Sequence, residues 1–269
     1  MNRERNTVAA VQMNSGPAVA ANLQSAGELI AEAAGRGARL VALPENFAFM
    51  GAHERDKIEV AEPDGRGPIQ EFLPHVARRH GVWLIGGSIP LACDEAGRVT
   101  NTCLVFDPNG RRAARYDKIH LFSFEKNEER YEEARTVRAG AETVALGTPL
   151  GRIALSICYD VRFPELYRAL APFDLAMVPS AFTATTGRAH WETLLRARAI
   201  VNLAWVIAPA QTGRHAGGRE TWGHTMIVDP WGTVLAVRER DPGVVLADID
   251  LSFLADTRAS LPALGHRVL

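Results

Sequence analysis

Residues 7–47, TVAAVQMNSGPAVAANLQSAGELIAEAAGRGARLVALPENF, carry the pattern that decides the fold. The apolar run at 7–13 predicts a strand. Residues 18–36 repeat apolar side chains at helical spacing and end in glycines, which predicts a helix with one apolar face. The run at 39–44 is apolar from Leu40 onward, which predicts a strand buried on both faces. This order of elements indicates a layered α/β protein.

The same alternation continues along the rest of the chain. Turns at 107–110 (DPNG) and 229–232 (DPWG) predict two antiparallel hairpins. The charged insert 124–138 is read as a solvated surface segment from its charge alone, with a functional role as the alternative. No linker or repeat divides the sequence, so residues 1–269 are predicted to form one domain. The other predicted helices are at 68–80, after Pro164 and at about 190–202, and the other strands are at 82–88, 152–158, 175–181 and 204–210.

Composition excludes several classes of function. The chain has 269 residues, 47% hydrophobic and 23% charged, with a net charge of -1. A net charge this close to zero does not favour binding to nucleic acid or to an anionic membrane. No apolar run approaches the roughly 20 residues of a membrane span. The first residues do not resemble a signal peptide. Three widely spaced cysteines predict neither disulfides nor a zinc site, so we expect a cytoplasmic protein with no metal or cofactor and a small-molecule substrate.

Three polar residues follow predicted strands, where ligands collect in α/β sheets. Glu45 follows RLVALP, Lys118 ends the first hairpin, and Cys158 follows RIALSI. Glu45 suits either proton transfer or capping of a helix. Lys118 suits an oxyanion, although an isolated lysine at a strand end is more often a surface residue.

Cys158 has two readings as well. From composition alone a free cysteine is a small buried packing residue. However, ICYDVRFPEL places the thiol where a strand meets a helix start, with Pro164 in the first turn and Asp160 as a cap. That setting favours a thiolate. Cys93 and Cys103 lack it and are expected to serve packing or the surface. A cysteine–histidine pair also stays open, through His120, His190, His224 or His266.

Three motifs in this order resemble the Glu, Lys and Cys motifs of the nitrilase superfamily of carbon–nitrogen hydrolases. They are LPENF (43–47), YDKIHLF (116–122) and ICYDVRFPELYR (157–168), and the likeness extends from VAAVQMNSG to DIDLSFLADTRASLPALGHR. The resemblance implies a single-domain α-β-β-α sandwich. Subunits of this family commonly pair into an α-β-β-α-α-β-β-α assembly, which implies a homodimer or higher homo-oligomer through the helix after Cys158 and the HWETLLRARAI helix.

The resemblance also implies a mechanism. Cys158 would attack an amide carbon, Glu45 would move the protons, and Lys118 with the N–H of Tyr159 would hold the oxyanion. A thioester would form and be hydrolysed to acid and ammonia. A second glutamate is expected beside the lysine, and Glu133 matches it better than the adjacent Glu132.

Within the superfamily, the chain is most similar to the Nit-type amidases that hydrolyse deaminated glutathione. An ω-amidase acting on 2-oxoglutaramate, an N-carbamoyl amidohydrolase and a non-catalytic scaffold that keeps the fold are the alternatives. Val201 stands where related sequences often have glutamate. This difference is expected to affect local hydrogen bonding or a subunit contact. Arg162 is expected to pair with a substrate carboxylate or, equally, with Asp160 or Glu165. The expected substrate-binding residues are Tyr159, Arg162, Ser180, Phe182 and Thr183.

Overall fold

The computed structural model describes residues 6–126 and 129–268. The helices are α1 (Val19–Gly35), α2 (Asp56–Glu59), α3 (Pro68–His80), α4 (Pro164–Leu170), α5 (Ala184–Asn202) and α6 (Leu251–Ser260). The strands are β1 (Asn6–Gln12), β2 (Leu40–Ala42), β3 (Trp83–Ile85), β4 (Ile89–Ala92), β5 (Val99–Phe106), β6 (Arg112–Asp117), β7 (Ser123–Lys126), β8 (Glu129–Glu132), β9 (Ala145–Thr148), β10 (Gly151–Leu155), β11 (Leu175–Met177), β12 (Trp205–Ala208), β13 (Thr212–Arg214), β14 (Glu220–Trp222), β15 (Thr225–Val228), β16 (Val234–Arg238) and β17 (Gly243–Ile249).

The first sheet has the strand order β17–β1–β2–β3–β5–β4, with β6 paired to β5. Strands β1, β2 and β3 run parallel, and the other pairs are antiparallel. Because side chains alternate along a strand, Val8 and Ala10 face the second sheet while Ala9 and Val11 face α1 and α3. The strand–helix–strand unit predicted at 7–47 is confirmed.

The second sheet has the order β16–β15–β12–β11–β10–β9, with β10, β11 and β12 parallel. Its inner face packs on the first sheet through residues such as Ile153 and Leu155. On its outer face, α4 and α5 contribute the buried rings of Tyr167 and Trp191. The layers are therefore helix, sheet, sheet, helix, as the family resemblance implied.

Both predicted hairpins form, as β5–β6 and β15–β16. Helix α5, however, begins at Ala184 rather than near residue 190. Thr183 caps it by accepting a hydrogen bond from the Thr186 N–H (3.3 Å). Threonine and glycine are weak helix formers, so the first turn depends on this cap and on packing of Gly187 against Trp222.

The charged insert is not simply a solvated segment. It forms the hairpin β7–β8 and then a 3-10 turn at Glu133–Arg135, where Glu133 is buried. Across residues 6–126 and 129–268, no helix has the length and apolar character needed to cross a membrane.

Candidate active site

Lys118 lies between two carboxylates at one end of the sandwich. Its Nζ donates to Glu45 Oε1 (2.9 Å) and to Glu133 Oε2 (2.8 Å). All three side chains are buried. A buried ammonium requires such partners, so the reading of Lys118 as a surface residue is wrong. Glu132 is exposed and pairs with Arg135, which leaves Glu133 as the glutamate beside the lysine.

Charge neutralisation explains how Lys118 and Glu133 stay ionised. Burial alone would lower the pKa of Lys118, but Glu133 and Glu45 outweigh it and raise that pKa well above its usual range. Burial alone would raise the pKa of Glu133, but Lys118 outweighs it and lowers that pKa to about 2. The ammonium therefore stays charged throughout the neutral range.

Asn101, on β5, links the two carboxylates. Its Nδ2 donates to Glu45 Oε1 (3.0 Å) and to Glu133 Oε1 (3.1 Å). Asn101 was not among the residues expected from the sequence. A polar side chain within the buried run TNTCLVF was the available signal, because buried polar groups need partners.

The backbone around Glu45 is shaped by close contacts. Asn46 adopts a φ of 56°, and its N–H donates to Ser88 Oγ (3.1 Å). At Gly87, with a φ of 55°, a Cβ atom would lie 2.1 Å from the Pro44 carbonyl oxygen. Only glycine allows this approach. Glu45 Oε2 in turn accepts the Ala181 N–H (2.8 Å) after β11, so the carboxylate bridges both sheets.

Cys158 follows β10 and is only 6% exposed. Its φ of 51° is rare for a side chain other than glycine, and such strain is typical of functional sites. The Cys158 N–H donates to the Pro179 carbonyl (2.9 Å).

The thiol is not the thiolate expected from its position at a helix start. Burial, followed by the charge of Glu45, raises the pKa of Cys158, and Lys118 offsets this only in part. The turn that starts at Cys158 is short, so its dipole is weak beside the full charge of Glu45. Cys158 therefore needs a base, and the Glu45 carboxylate lies close enough to the thiol to affect its pKa.

Asp160 connects the lysine and cysteine motifs. Its Oδ2 accepts the Tyr116 hydroxyl (2.7 Å) and the Ile157 N–H (2.8 Å). Its Oδ1 accepts the His120 N–H (3.0 Å). Asp160 therefore fixes the two segments that carry Lys118 and Cys158 relative to each other, rather than capping α4.

A narrow cavity of about 30 Å³ opens onto the cysteine. Of the residues expected to bind substrate, Tyr159, Phe182 and Thr183 line it. Within the described chain, its lining includes neither Arg162 nor Ser180 and contains no histidine, so a cysteine–histidine pair is not formed there. The Ser180 hydroxyl instead donates to the Val178 carbonyl (3.0 Å).

Arg162 lies behind the cavity wall. Its guanidinium carbon is 5.6 Å from the ring centroid of Tyr159 and 5.4 Å from that of Phe182. Its Nη2 lies 3.2 Å from His190 Nδ1. These contacts differ from the pairing with Asp160 or Glu165 considered from the sequence, and they support two rings of the cavity wall.

The sandwich and the cluster of Glu45, Lys118 and Cys158 at its end define a hydrolase of the nitrilase type. The chain matches the Carbon-nitrogen hydrolase family over residues 7–259. It belongs to this family and is an enzyme that hydrolyses carbon–nitrogen bonds of amides.

Characterised relatives are similar over nearly the whole chain. A deaminated glutathione amidase of Synechocystis sp. is 47% identical over 266 residues, which cover 97% of each chain. The crystal structure of the C. elegans NitFhit protein has a TM-score of 0.89 and 39% identity, covering 99% of this chain and 66% of that one. A mutant amidase from Nesterenkonia sp. AN1 has a TM-score of 0.80 and 26% identity, covering 96% and 98%; its structure shows the result of Michael addition of acrylamide at the active site cysteine.

Proposed function

We propose that this enzyme is a cysteine-dependent amidase that acts through a thioester on Cys158, with deaminated glutathione as its substrate. The observation that carries the mechanism is the position of Lys118 between Glu45 and Glu133, in a cavity that the buried Cys158 also lines. The substrate is proposed from the relatives, several of which are deaminated glutathione amidases.

In the first half-reaction, Cys158 Sγ forms a bond to the amide carbon and its proton passes to Glu45. The negative charge that develops on the amide oxygen is stabilised by Lys118 Nζ and the Tyr159 N–H. The carbon–nitrogen bond then breaks as Glu45 returns the proton to the leaving nitrogen, which leaves an acyl thioester on Cys158.

In the second half-reaction, water attacks the thioester carbon while Glu45 accepts a proton from it. The carbon–sulfur bond breaks, the acid is released, and the proton returns to the Cys158 sulfur. Glu133 and Asn101 hold Lys118 and Glu45 in place through both steps. Splitting the reaction in two lets one carboxylate serve as base and acid in turn.

The amide nitrogen of deaminated glutathione carries the rest of the peptide. Its leaving group is therefore an amine, whereas 2-oxoglutaramate and a carbamoyl amine would release ammonia. Product analysis by mass spectrometry for all three compounds tests the substrate. We expect the highest kcat/KM for deaminated glutathione, and no turnover of it at micromolar enzyme would remove this substrate.

Cys158→Ala separates an enzyme from a scaffold that merely keeps the fold. We expect the variant to bind deaminated glutathione but to form no products. Product formation equal to that of the wild type would contradict the mechanism.

We also propose, from the three free cysteines, that the protein works in a reducing compartment such as the cytoplasm.

A further inference from the structure

Two cations other than Lys118 line the catalytic cavity, and the proposed mechanism uses neither. Lys57, on α2, pairs with Glu54 (Nζ to Oε2, 2.7 Å), and Arg219 Nη1 lies 3.8 Å from Glu54 Oε1. Arg219 Nη2 donates to the Ala181 carbonyl (2.8 Å), and its guanidinium lies 5.1 Å from the centroid of Tyr131. The guanidinium is thereby held in a fixed orientation.

The charges along the cavity wall are unevenly divided. Around the thiol, one cation, Lys118, faces two anions, Glu45 and Glu133, which gives a net charge of -1. The other group has two cations, Lys57 and Arg219, against one anion, Glu54, which gives +1. After Lys118, Lys57 also lowers the pKa of Glu133, so the extra positive charge of the second group faces the extra negative charge of the first.

Arg219 also has unused donor capacity. Its Nε is buried and has no hydrogen-bond partner, which is costly for a charged donor unless a ligand supplies an acceptor. A guanidinium N–H of this kind matches a carboxylate oxygen, because the two form a charge-assisted hydrogen bond.

These two cations also lie where the catalytic cavity meets a second, more open one. Asn46, Glu54, Lys57, Tyr131 and Arg219 line both. A substrate that reaches Cys158 from the open cavity passes this group, so an anion at the far end of its acyl chain would stay beside it after the amide bond breaks.

We propose that Arg219, with Lys57, binds a carboxylate on the acyl portion of the substrate. This inference rests on the proposed amidase function and deepens it. The substrate class is then amides whose acyl chain ends in a carboxylate, and Arg162, which the sequence suggested for this role, supports the cavity wall instead.

The experiment compares two amides of equal chain length, glutaramate and pentanamide, in the wild type, Arg219→Gln and Lys57→Met. We expect the wild type to prefer glutaramate. Each variant should lose about 10- to 100-fold in kcat/KM for glutaramate, the effect of one charge-assisted hydrogen bond, and less than about threefold for pentanamide. Arg219→Lys should recover part of the loss because it keeps the charge. The matched control is Arg111→Gln, an exposed arginine in the β5–β6 turn.

The outcomes separate the two proposals. Hydrolysis of neither amide nor of deaminated glutathione by the wild type would contradict the amidase function itself. Equal losses for both amides in Arg219→Gln and Lys57→Met, or a loss specific to glutaramate in Arg162→Gln instead, would overturn the carboxylate site while leaving the amidase function standing.

Discussion

Glu45 is the residue on which the proposed chemistry depends most, because it contacts the thiol, Lys118 and the backbone of the second sheet. In Glu45→Gln the proton acceptor is lost, and the single amide oxygen can accept from Lys118 or from the Ala181 N–H but not from both. We expect kcat to fall by about 10²- to 10⁴-fold, measured by product release. An unchanged kcat would exclude Glu45 as the base.

The same variant should also change the pKa of the Cys158 thiol. The charge of Glu45 raises the pKa of Cys158, so its removal should lower that pKa. Alkylation of Cys158 by iodoacetamide, followed against pH, should show a midpoint at lower pH in Glu45→Gln than in the wild type. A midpoint that rises or stays in place would contradict the described electrostatics.

Glu133 and Glu132 offer a matched pair one residue apart. Glu133→Gln removes a charged acceptor from Lys118 and from the Phe122 N–H, whereas Glu132 is exposed. We expect kcat/KM to fall about 10- to 100-fold in Glu133→Gln and to change less than about twofold in Glu132→Gln. Equal effects in both variants would remove Glu133 from the site.

The lowered pKa of Glu133 predicts how the free energy of unfolding changes at acid pH. Its pKa is about 2 in the fold, below the ordinary value of 4.5, so its ionised form stabilises the fold above pH 4.5 and that contribution is lost as pH falls toward 2. The free energy of unfolding of the wild type should therefore decline more steeply between these pH values than that of Glu133→Gln. Parallel curves from urea denaturation would contradict this.

Among the elements, the turn after β10 depends on Asp160, which accepts hydrogen bonds from Tyr116, His120 and Ile157. Asp160→Ala would leave these buried donors without partners and should lower the free energy of unfolding by about 3 kcal/mol or more.

Asp107→Ala is the control for this change. Asp107 accepts two backbone N–H groups in the exposed DPNG turn, so its loss should cost only about 1 kcal/mol. Urea denaturation of both variants measures the difference, and similar losses would show that Asp160 is no more than a turn residue.

The elements that the sequence predicted well are those with strong periodicity. The unit at 7–47, the helix Pro68–His80 and both hairpins follow from apolar spacing and turn residues. The start of α5 and the hairpin β7–β8 were missed because a threonine cap and a charged hairpin leave no apolar pattern. Within the site, Glu45, Lys118 and Cys158 were predictable from strand ends and motifs. Lys57 and Arg219 were not, because only the fold brings them to the cavity.

On the scale of the whole molecule, one surface of the second sheet is apolar. Trp231, in the β15–β16 turn, is 62% exposed and lies beside Gly232, which contacts Ile200 of α5. Val201 of α5 is also exposed. We propose that two copies pair through this face, in line with the assembly implied by the family resemblance.

Analytical ultracentrifugation tests this proposal. We expect the wild type to be a dimer and the double variant Ile200→Asp/Trp231→Ser to be a monomer. A stable interface buries roughly 1,200–2,000 Å² in total, so two charged or shortened central residues should dissociate it. The exposed variant Arg111→Gln, in the β5–β6 turn, should remain dimeric. A monomeric wild type would contradict the proposal.

The most direct test of the whole account is intact-protein mass spectrometry of the enzyme quenched with acid during turnover of deaminated glutathione. We predict a mass increase equal to the acyl group, located on Cys158 by peptide mapping and absent in Cys158→Ala. Two results would contradict the thioester mechanism. One is full product formation with no acyl adduct at any quench time, in both the wild type and the slowed Glu45→Gln variant. The other is an adduct on a residue other than Cys158.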